Sequence, residues 1–279
     1  MDPTSRAILF CGGGGPSPEY IGTYKFTTSR DYTSYQWQVP AQTRYIQAVA
    51  WGSGGAGREY SAYLCSILGG QFCYGGNGGV GGFSTAVIPV TAGENLSIGV
   101  GDHGNNGGGN RTVGSENLSG GGFTGILRSS TVLLIAGGGG GSPWAYSPSG
   151  QFHGGNGGGL TATNGTYYYY NGNTRGYLSG ASPNGGGGYQ GGRGSATYGG
   201  EGGTGYIAAT GNLHASTEVS PRKDTQFLPQ SSHPDWIYPH GHGNAASGTG
   251  LLIIHALGDG YDPANTPVIP ASRTILGTY

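Results

Sequence analysis

Between residues 45 and 51 the chain reads YIQAVAW, with Ile46, Ala48 and Ala50 alternating with Gln47, Val49 and Trp51. A period of two predicts a strand with at least one buried face. Glycine follows at once, as GSGGAG. The same event recurs where TVLLIA at 131–136 gives way to five consecutive glycines. Twice, then, the chain leaves a sheet directly into polyglycine, and the remaining elements are arranged around those two junctions.

Residues 22–40, which contain YKFTTSRDYTSYQWQVP, read as two strands around a polar turn at 29–33, rich in β-branched and aromatic side chains. FSTAVIPV, the turn TAGE at 91–94 and NLSIGVGD at 95–102 predict a hairpin. A second hairpin is expected from 123–128 and 131–136, with Ser129 and Ser130 at its tip. LLIIHAL at 251–257 reads as a fully apolar strand that returns to the core. Three excursions interrupt these strands, at 52–82, 103–122 and 137–248. The first leaves room for one short helix at 60–68. The third is too long for a simple loop in a compact domain and must carry structure of its own. Its glycine tracts, at 154–159, 185–188 and 199–205, alternate with aromatic segments. Residues 1–21 read as an arm whose PSPEY prolines forbid helix, 22–258 as one domain and 259–279 as a proline-broken tail.

Glycine supplies 64 of the 279 residues, against roughly 7% in average usage. The fold must therefore satisfy a great deal of backbone that carries no side chain. Charged residues make up 9%, the net charge is -1 and hydrophobic residues reach 34%. That balance is the reverse of the high charge and low hydrophobicity of disordered chains. A collagen triple helix needs glycine at every third position, and GGNGGVGG and GGGGYQGGRG keep no such register. Left-handed PPII-like polyglycine helices, packed side by side with N–H···O=C bonds and weak Cα–H···O contacts, remain open.

Lys25 and Lys223 are the only lysines and no basic cluster occurs, which argues against a nucleic-acid partner. The first residues, MDPTSRAILFCGGGG, lack the basic start and apolar core of a secretion signal. No apolar run approaches the roughly 20 residues a bilayer requires, so membrane insertion is not expected. Cys11, Cys65 and Cys73 are an odd count, which fits reduced thiols in a protein made inside a cell. A Cys65–Cys73 bridge is the alternative.

The order YKFTTS, WQVP, RYIQAVAWGSGGAG, GGVGGFSTAVIPVTAGENLSIGVG, TVLLIAGGGGG and GTGLLIIHAL resembles the glycine-rich domain of bacteriophage tail and fibre proteins. A related domain occurs in the extracellular region of anaplastic lymphoma kinase. The resemblance spans residues 22–258, and its most specific parts are the WGSGGAG junction and the TAGENLSIGVG stretch. It implies an all-β fold, a jelly-roll-like β-sandwich with a projecting bundle of polyglycine II helices. It also implies a non-enzymatic structural protein of the virion, assembled in the host cytoplasm, serving as a tail or fibre component or adhesin. The long tyrosine-rich excursion and the N-terminal arm depart from the family pattern. A capsid-decorating head fibre or cement protein is therefore the alternative, and a glycan-cleaving tail spike the alternative of another class. The partners implied are other virion proteins, further copies of the chain with a trimer favoured, and a host-surface glycan or outer-membrane protein.

The abundance of glycine makes GxG patterns weak as nucleotide fingerprints, and no Gly-Lys-Ser/Thr phosphate loop exists. Asp102, Glu116 and Glu201 each stand alone, as solvated surface acids usually do, and Asp259 and Asp262 sit in a turn-like DGYD. A glycan hydrolase would need two carboxylates facing one groove, and none are adjacent here, so no catalytic residue is assigned. His240 and His242, one residue apart beside His233, would share one side of an extended backbone and could meet a metal on a trimer axis. Their glycine and proline flanks fit a polar loop better, so no metal or other cofactor is assigned. Asp102 with Asn105 and Asn106 suggests calcium less strongly still.

Tyrosine is the better signal. Twenty tyrosines against seven phenylalanines favour rings with a polar handle, the type enriched at recognition surfaces. The candidate receptor-binding residues are Trp144, Tyr146, Tyr167, Tyr168, Tyr169, Tyr170 and Tyr177, with Tyr189 and Tyr198 in the same excursion. Consecutive rings at 167–170 cannot all face one core, so they meet solvent or a partner or pack over neighbouring polyglycine. Ile8, Leu9 and Phe10 in the arm and Val268 and Ile269 in the tail have no place in a sandwich and are expected to hold neighbouring subunits.

Overall fold

The computed structural model describes residues 20–57, 77–110, 112–113, 116–142, 153–159, 177–178, 184–195, 199–208, 213–218, 235, 237, 240–241, 248–262 and 277–278. The helix expected at 60–68 and the thiols Cys11, Cys65 and Cys73 lie outside them. Among the described residues all regular structure is strand: β1 (Tyr20–Phe26), β2 (Gln36–Gln38), β3 (Tyr45–Trp51), β4 (Phe83–Pro89), β5 (Asn95–Gly99), β6 (Thr112–Val113), β7 (Glu116–Asn117), β8 (Thr124–Arg128), β9 (Thr131–Ala136), β10 (Tyr206–Ile207), β11 (Leu213–Glu218), β12 (Leu251–Leu257) and β13 (Gly277–Thr278).

Two sheets form a sandwich, one in the order β11-β4-β3-β12-β1-β13 and the other β10-β9-β8-β5-β2, while β6 and β7 pair separately. Ile46, Ala48, Ala50, Ala86, Ile88, Leu252 and Ile254 of the first sheet meet Leu96, Ile98, Ile126, Leu134 and Ala136 of the second in one buried cluster. The opposite faces of β3 and β12 are covered too, with Val49, Trp51, Leu251 and Ile253 buried against Phe83 and Ile237. That double burial is why LLIIHAL carries almost no polar residue.

The hairpin of 123–128 and 131–136 is present as β8 and β9, with Ser129 at φ 54 in its tip. The hairpin expected across TAGE is not formed. β4 pairs with β3 and β11, whereas β5 pairs with β2 and β8 in the other sheet. The reason is that Ala86 and Ile88 must face Leu96 and Ile98 across the core, so the turn stacks the two strands face to face instead of edge to edge. Glu94 holds the turn. Its carboxylate accepts from the Thr91 amide at 2.9 Å and from Arg128 Nε at 2.9 Å, and Arg128 also donates to the Pro89 carbonyl at 2.9 Å. β1 and β2 likewise belong to different sheets, with the polar turn between them carrying the chain across.

At one end of the sandwich the central strands run straight into glycine. β3 continues as 52–57, β9 as 137–142 and β5 as 101–110, while β4, β8 and β12 are entered from 77–82, 118–123 and 248–250. The pairs Trp51↔Phe83, Trp51↔Leu251 and Thr124↔Ala136 put these junctions at a common end of each sheet.

Segment 137–142 is the axis of this glycine region. Gly138 donates to Gly187, Gly139 to Ser53, Gly140 to Gly155, then Gly141 to Asn184 and Ser142 to Ala56, all at 2.7–2.9 Å. The partner segment therefore recurs every third residue. The carbonyls keep the same repeat: Gly137 and Gly140 accept from Gly82 and Gly79, Gly138 and Gly141 from Gly203 and Gly200, and Gly139 from Gly121. Six segments thus surround one, namely 52–57, 77–82, 118–123, 153–159, 184–188 and 199–205. A β-strand cannot make this pattern, because its hydrogen-bonding groups lie along only two directions.

No side chain fits at the five glycines of the axis. A Cβ on Gly137, Gly138, Gly139, Gly140 or Gly141 would press on the carbonyl oxygen of Gly203, Gly121, Gly79, Gly200 or Leu118 respectively, nearer than the 3.0 Å that Cβ atoms keep. Gly138→Ala should therefore lower the unfolding free energy by on the order of 4 kcal/mol, since backbone on every side cannot yield. Gly93→Ala is the control: Gly93 lies in a turn at φ 82 with nothing within 4 Å of an added Cβ, so only conformational strain of about 1–2 kcal/mol applies. Urea denaturation of both variants checks the contrast, and equal small losses would reject the packed axis.

Candidate functional site

The outer face of the five-stranded sheet carries a second apolar cluster. Phe123, Leu127, Val132, Ile135 and Leu178 are buried there, and Tyr32, Tyr189 and Tyr206 pack against them. Along β9 Leu134 belongs to the interior and Ile135 to the outer face, and a bulge that leaves Leu133 between the pairs Ile126↔Leu134 and Leu127↔Val132 brings Val132 to the outer face as well. Tyr206 is paired with Ile135 in β10, which sets its ring on that outer face.

The glycine region fixes the other rings. Tyr189 directly follows the 185–188 tract, its amide donating to the Thr204 carbonyl at 3.0 Å, while Thr204 donates to Gln190 at 2.9 Å. Tyr177 bridges to Gln190, and Leu178 adopts φ 53, a conformation rare for a branched residue, as its side chain turns into the cluster. The result is a connected run of phenols. Tyr189 and Tyr206 are stacked with centroids 3.8 Å apart and planes within 9°, and Tyr177 stands edge-on to Tyr189 at 5.3 Å and 77°. Tyr177 is 60% exposed, the one large side chain of hydrophobic body so open among the described residues. Desolvation, followed by the neighbouring phenols, pushes the Tyr177 and Tyr206 hydroxyls above the usual range, so both present neutral donors and acceptors at ordinary pH.

Of the expected receptor-binding residues, Tyr177 lies in this surface. Trp144, Tyr146, Tyr167, Tyr168, Tyr169 and Tyr170 lie outside the described residues, as do Ile8, Leu9, Phe10, Val268 and Ile269. Tyr32, Tyr206 and Phe123 were not singled out from the sequence, and Tyr189 only as one ring among many. A signal was present: GGGGY at 185–189 and GGTGY at 202–206 repeat a glycine-to-tyrosine junction.

The polar candidates behave differently. Glu201 is not a solvated surface acid: it is fully buried in the glycine region, where its Oε2 accepts from the Arg193 amide at 3.0 Å and from Arg193 Nε at 3.2 Å. Asp102 and Asn105 turn inward onto the amides of His103 and Asn106 at 2.8 and 2.7 Å, and Asn106 Nδ2 donates to the carbonyls of Arg30 and Val100. These side chains brace a loop. Among the described residues no group of three or more His, Cys, Asp or Glu is placed to hold a metal ion. His240 is buried with Nδ1 3.2 Å from Thr249 Oγ1, and its partner in the sequence pattern, His242, lies outside the described residues.

One hydrogen-bonded chain has the form of a nucleophile, base and acid. His255 Nε2 is 3.0 Å from Asp235 Oδ2, His255 Nδ1 is 2.7 Å from Thr23 Oγ1, and the Tyr20 hydroxyl bonds Thr23 in turn. Thr23 is only 2% exposed, and its hydroxyl is engaged on both sides, so a scissile carbonyl has no approach to it. The chain satisfies polar groups that β1 and β12 bury.

These features define a class: a β-sandwich whose central strands feed a glycine-dominated, backbone-hydrogen-bonded core, with tyrosines gathered where the glycine tracts end. The family model for the glycine-rich domain matches residues 27–259, and the chain belongs to that family. Comparison with curated proteins returns no match.

Burial pushes the His103 imidazole below its usual 6.5, partly offset by Asp102 and a backbone bond with Gly54, and burial lowers His240 in the same way. Both are thus neutral in the folded state while the unfolded chain takes up protons. The sign follows: stability is present above about pH 6.5 and is lost as the pH falls below it, with a slope of at most about 1.4 kcal/mol per pH unit for each histidine. Urea titrations between neutral and mildly acidic pH should show this slope, and His240→Asn should reduce it.

Proposed function

We propose that this chain is a non-enzymatic structural protein of a bacteriophage virion, a tail or fibre component or adhesin, whose tyrosine surface meets a host-surface glycan or outer-membrane protein. The observation that carries the reading is the run from Tyr177 through Tyr189 to Tyr206, with Tyr177 60% exposed. A solitary exposed ring is ordinary. Three rings in contact, set on backbone bonded in every direction, form a pre-positioned aromatic face that loses little entropy on binding. Such a face suits the apolar side of a sugar ring or the side chains of a protein partner. Membership of the glycine-rich domain family, and the resemblance of the motif order to that of phage tail and fibre proteins, support the setting.

Tyr177→Ser should leave thermal unfolding unchanged, because its ring buries little. It should weaken adsorption of the purified chain to host envelopes by about 2 kcal/mol, roughly thirtyfold in affinity. Adsorption equal to that of the parent would remove the rings from the recognition surface.

We infer in addition that the glycine segments are polyglycine II helices. The three-residue repeat of bonding partners around 137–142 supports this, since the polyproline II conformation has three residues per turn. Scalar couplings across hydrogen bonds, measured by NMR, should link the amides of Gly138, Gly139 and Gly140 to three different segments. Couplings to a single neighbouring segment would indicate an ordinary ladder instead.

A further inference from the structure

We propose that Tyr189 and Tyr206 form an oxidative cross-linking site, at which a one-electron oxidant joins the two rings into dityrosine. Their rings lie face to face, 3.8 Å between centroids and 9° between planes. Each phenoxyl radical carries spin on the carbons ortho to its oxygen. In a parallel stack at this distance the π-faces of the two rings oppose one another, the approach a new carbon–carbon bond requires. Tyr177, edge-on to Tyr189 and open to solvent, places a third phenol where an outside oxidant arrives first.

The step balances. Each phenol gives up one electron and one proton to the oxidant, for which a peroxidase with hydrogen peroxide suffices. The two radicals couple through one ortho carbon each, and the carbon-bound hydrogens shift to restore both phenols. The product has lost two hydrogen atoms in all. Rearomatisation swings the rings out of their stack toward an edge-to-edge biphenol, and both side chains are only partly buried, which leaves room for that motion.

The location gives the bond a consequence. Tyr189 closes the 185–188 tract and Tyr206 follows the 199–205 segment, and the two segments are already bonded through Thr204 and residues 189 and 190. A biphenol would staple the ends of neighbouring glycine segments and shorten the loop available to the unfolded chain, which stabilises the fold as any such cross-link does. The site stands on ring geometry alone and is independent of what the tyrosine surface binds.

The test treats the full-length chain with peroxidase and hydrogen peroxide and maps its peptides by mass. The expected product is a species at the position of a single chain on a denaturing gel, with dityrosine fluorescence and one joined peptide pair containing Tyr189 and Tyr206, lighter by two hydrogens. It should melt at a higher temperature than the untreated chain. Tyr206→Phe and Tyr189→Phe keep a ring in the stack and remove the phenol, so each should fold as the parent does yet lose that peptide pair and the gain in melting temperature. Tyr24→Phe should lose neither. Undiminished single-chain dityrosine in either of the first two variants would overturn the proposal. So would a parent product in which the joined tyrosines come mainly from separate chains.

Discussion

Glycine gives up more backbone freedom on folding than any other residue and has no side chain to bury in return. Each net backbone hydrogen bond contributes only about 1 kcal/mol, so a glycine segment bonded on one side alone would be poorly held. Around 137–142 the peptide units bond outward in both senses, as donors to three neighbours and as acceptors from three more. The absence of side chains is what permits that many neighbours to approach. Density of backbone bonding takes the place that side-chain packing holds in an ordinary core, and at each of the axis glycines 137–141 an added methyl group would meet a carbonyl oxygen.

Chemistry is consequently pushed to the margins of the glycine region. Where side chains do enter it, they serve the backbone: Asn184 donates to the Ser142 carbonyl at 3.2 Å and accepts from the Ser195 amide at 2.7 Å. Glu201 answers the Arg193 amide in the same spirit. The rings of Tyr189 and Tyr206 stand at the first positions beyond the tracts, where space for a side chain returns. A rigid base and a sudden opening at its edge set the positions of the two rings, and the apolar cluster around Phe123 and Ile135 supplies the surface they pack against.

Much of this frame was legible in the amino-acid order. The change from YIQAVAW to GSGGAG, and from TVLLIA to five glycines, marked the ends of β3 and β9. LLIIHAL announced a strand of the core, β12. The turn at 91–94 was misleading because turn chemistry specifies a reversal of the chain without specifying whether the flanking strands meet by edge or by face. That choice is made by Ala86, Ile88, Leu96 and Ile98, whose apolar faces satisfy one another only across the core. Glu201 was misread for a related reason: its partner Arg193 lies eight residues away along the chain, and neighbouring glycine gave no sign that both belonged to an interior. The tyrosine surface was visible as composition but not as geometry, since the contact of residues 177, 189 and 206 depends on which glycine segments lie side by side.

The junctions at the end of the sandwich also have a mechanical meaning. β3, β4 and β12 in one sheet and β5, β8 and β9 in the other are each continuous with a glycine segment at that end. The amide of Gly82 bonds to Gly137 across the two sets, and Ser84 Oγ reaches the Ile135 carbonyl at 2.8 Å just behind them. A pull applied to the glycine region along its length therefore enters both sheets through six covalent chains at once and loads the bonds between them in shear, so that no single strand can be peeled away before its neighbours share the tension.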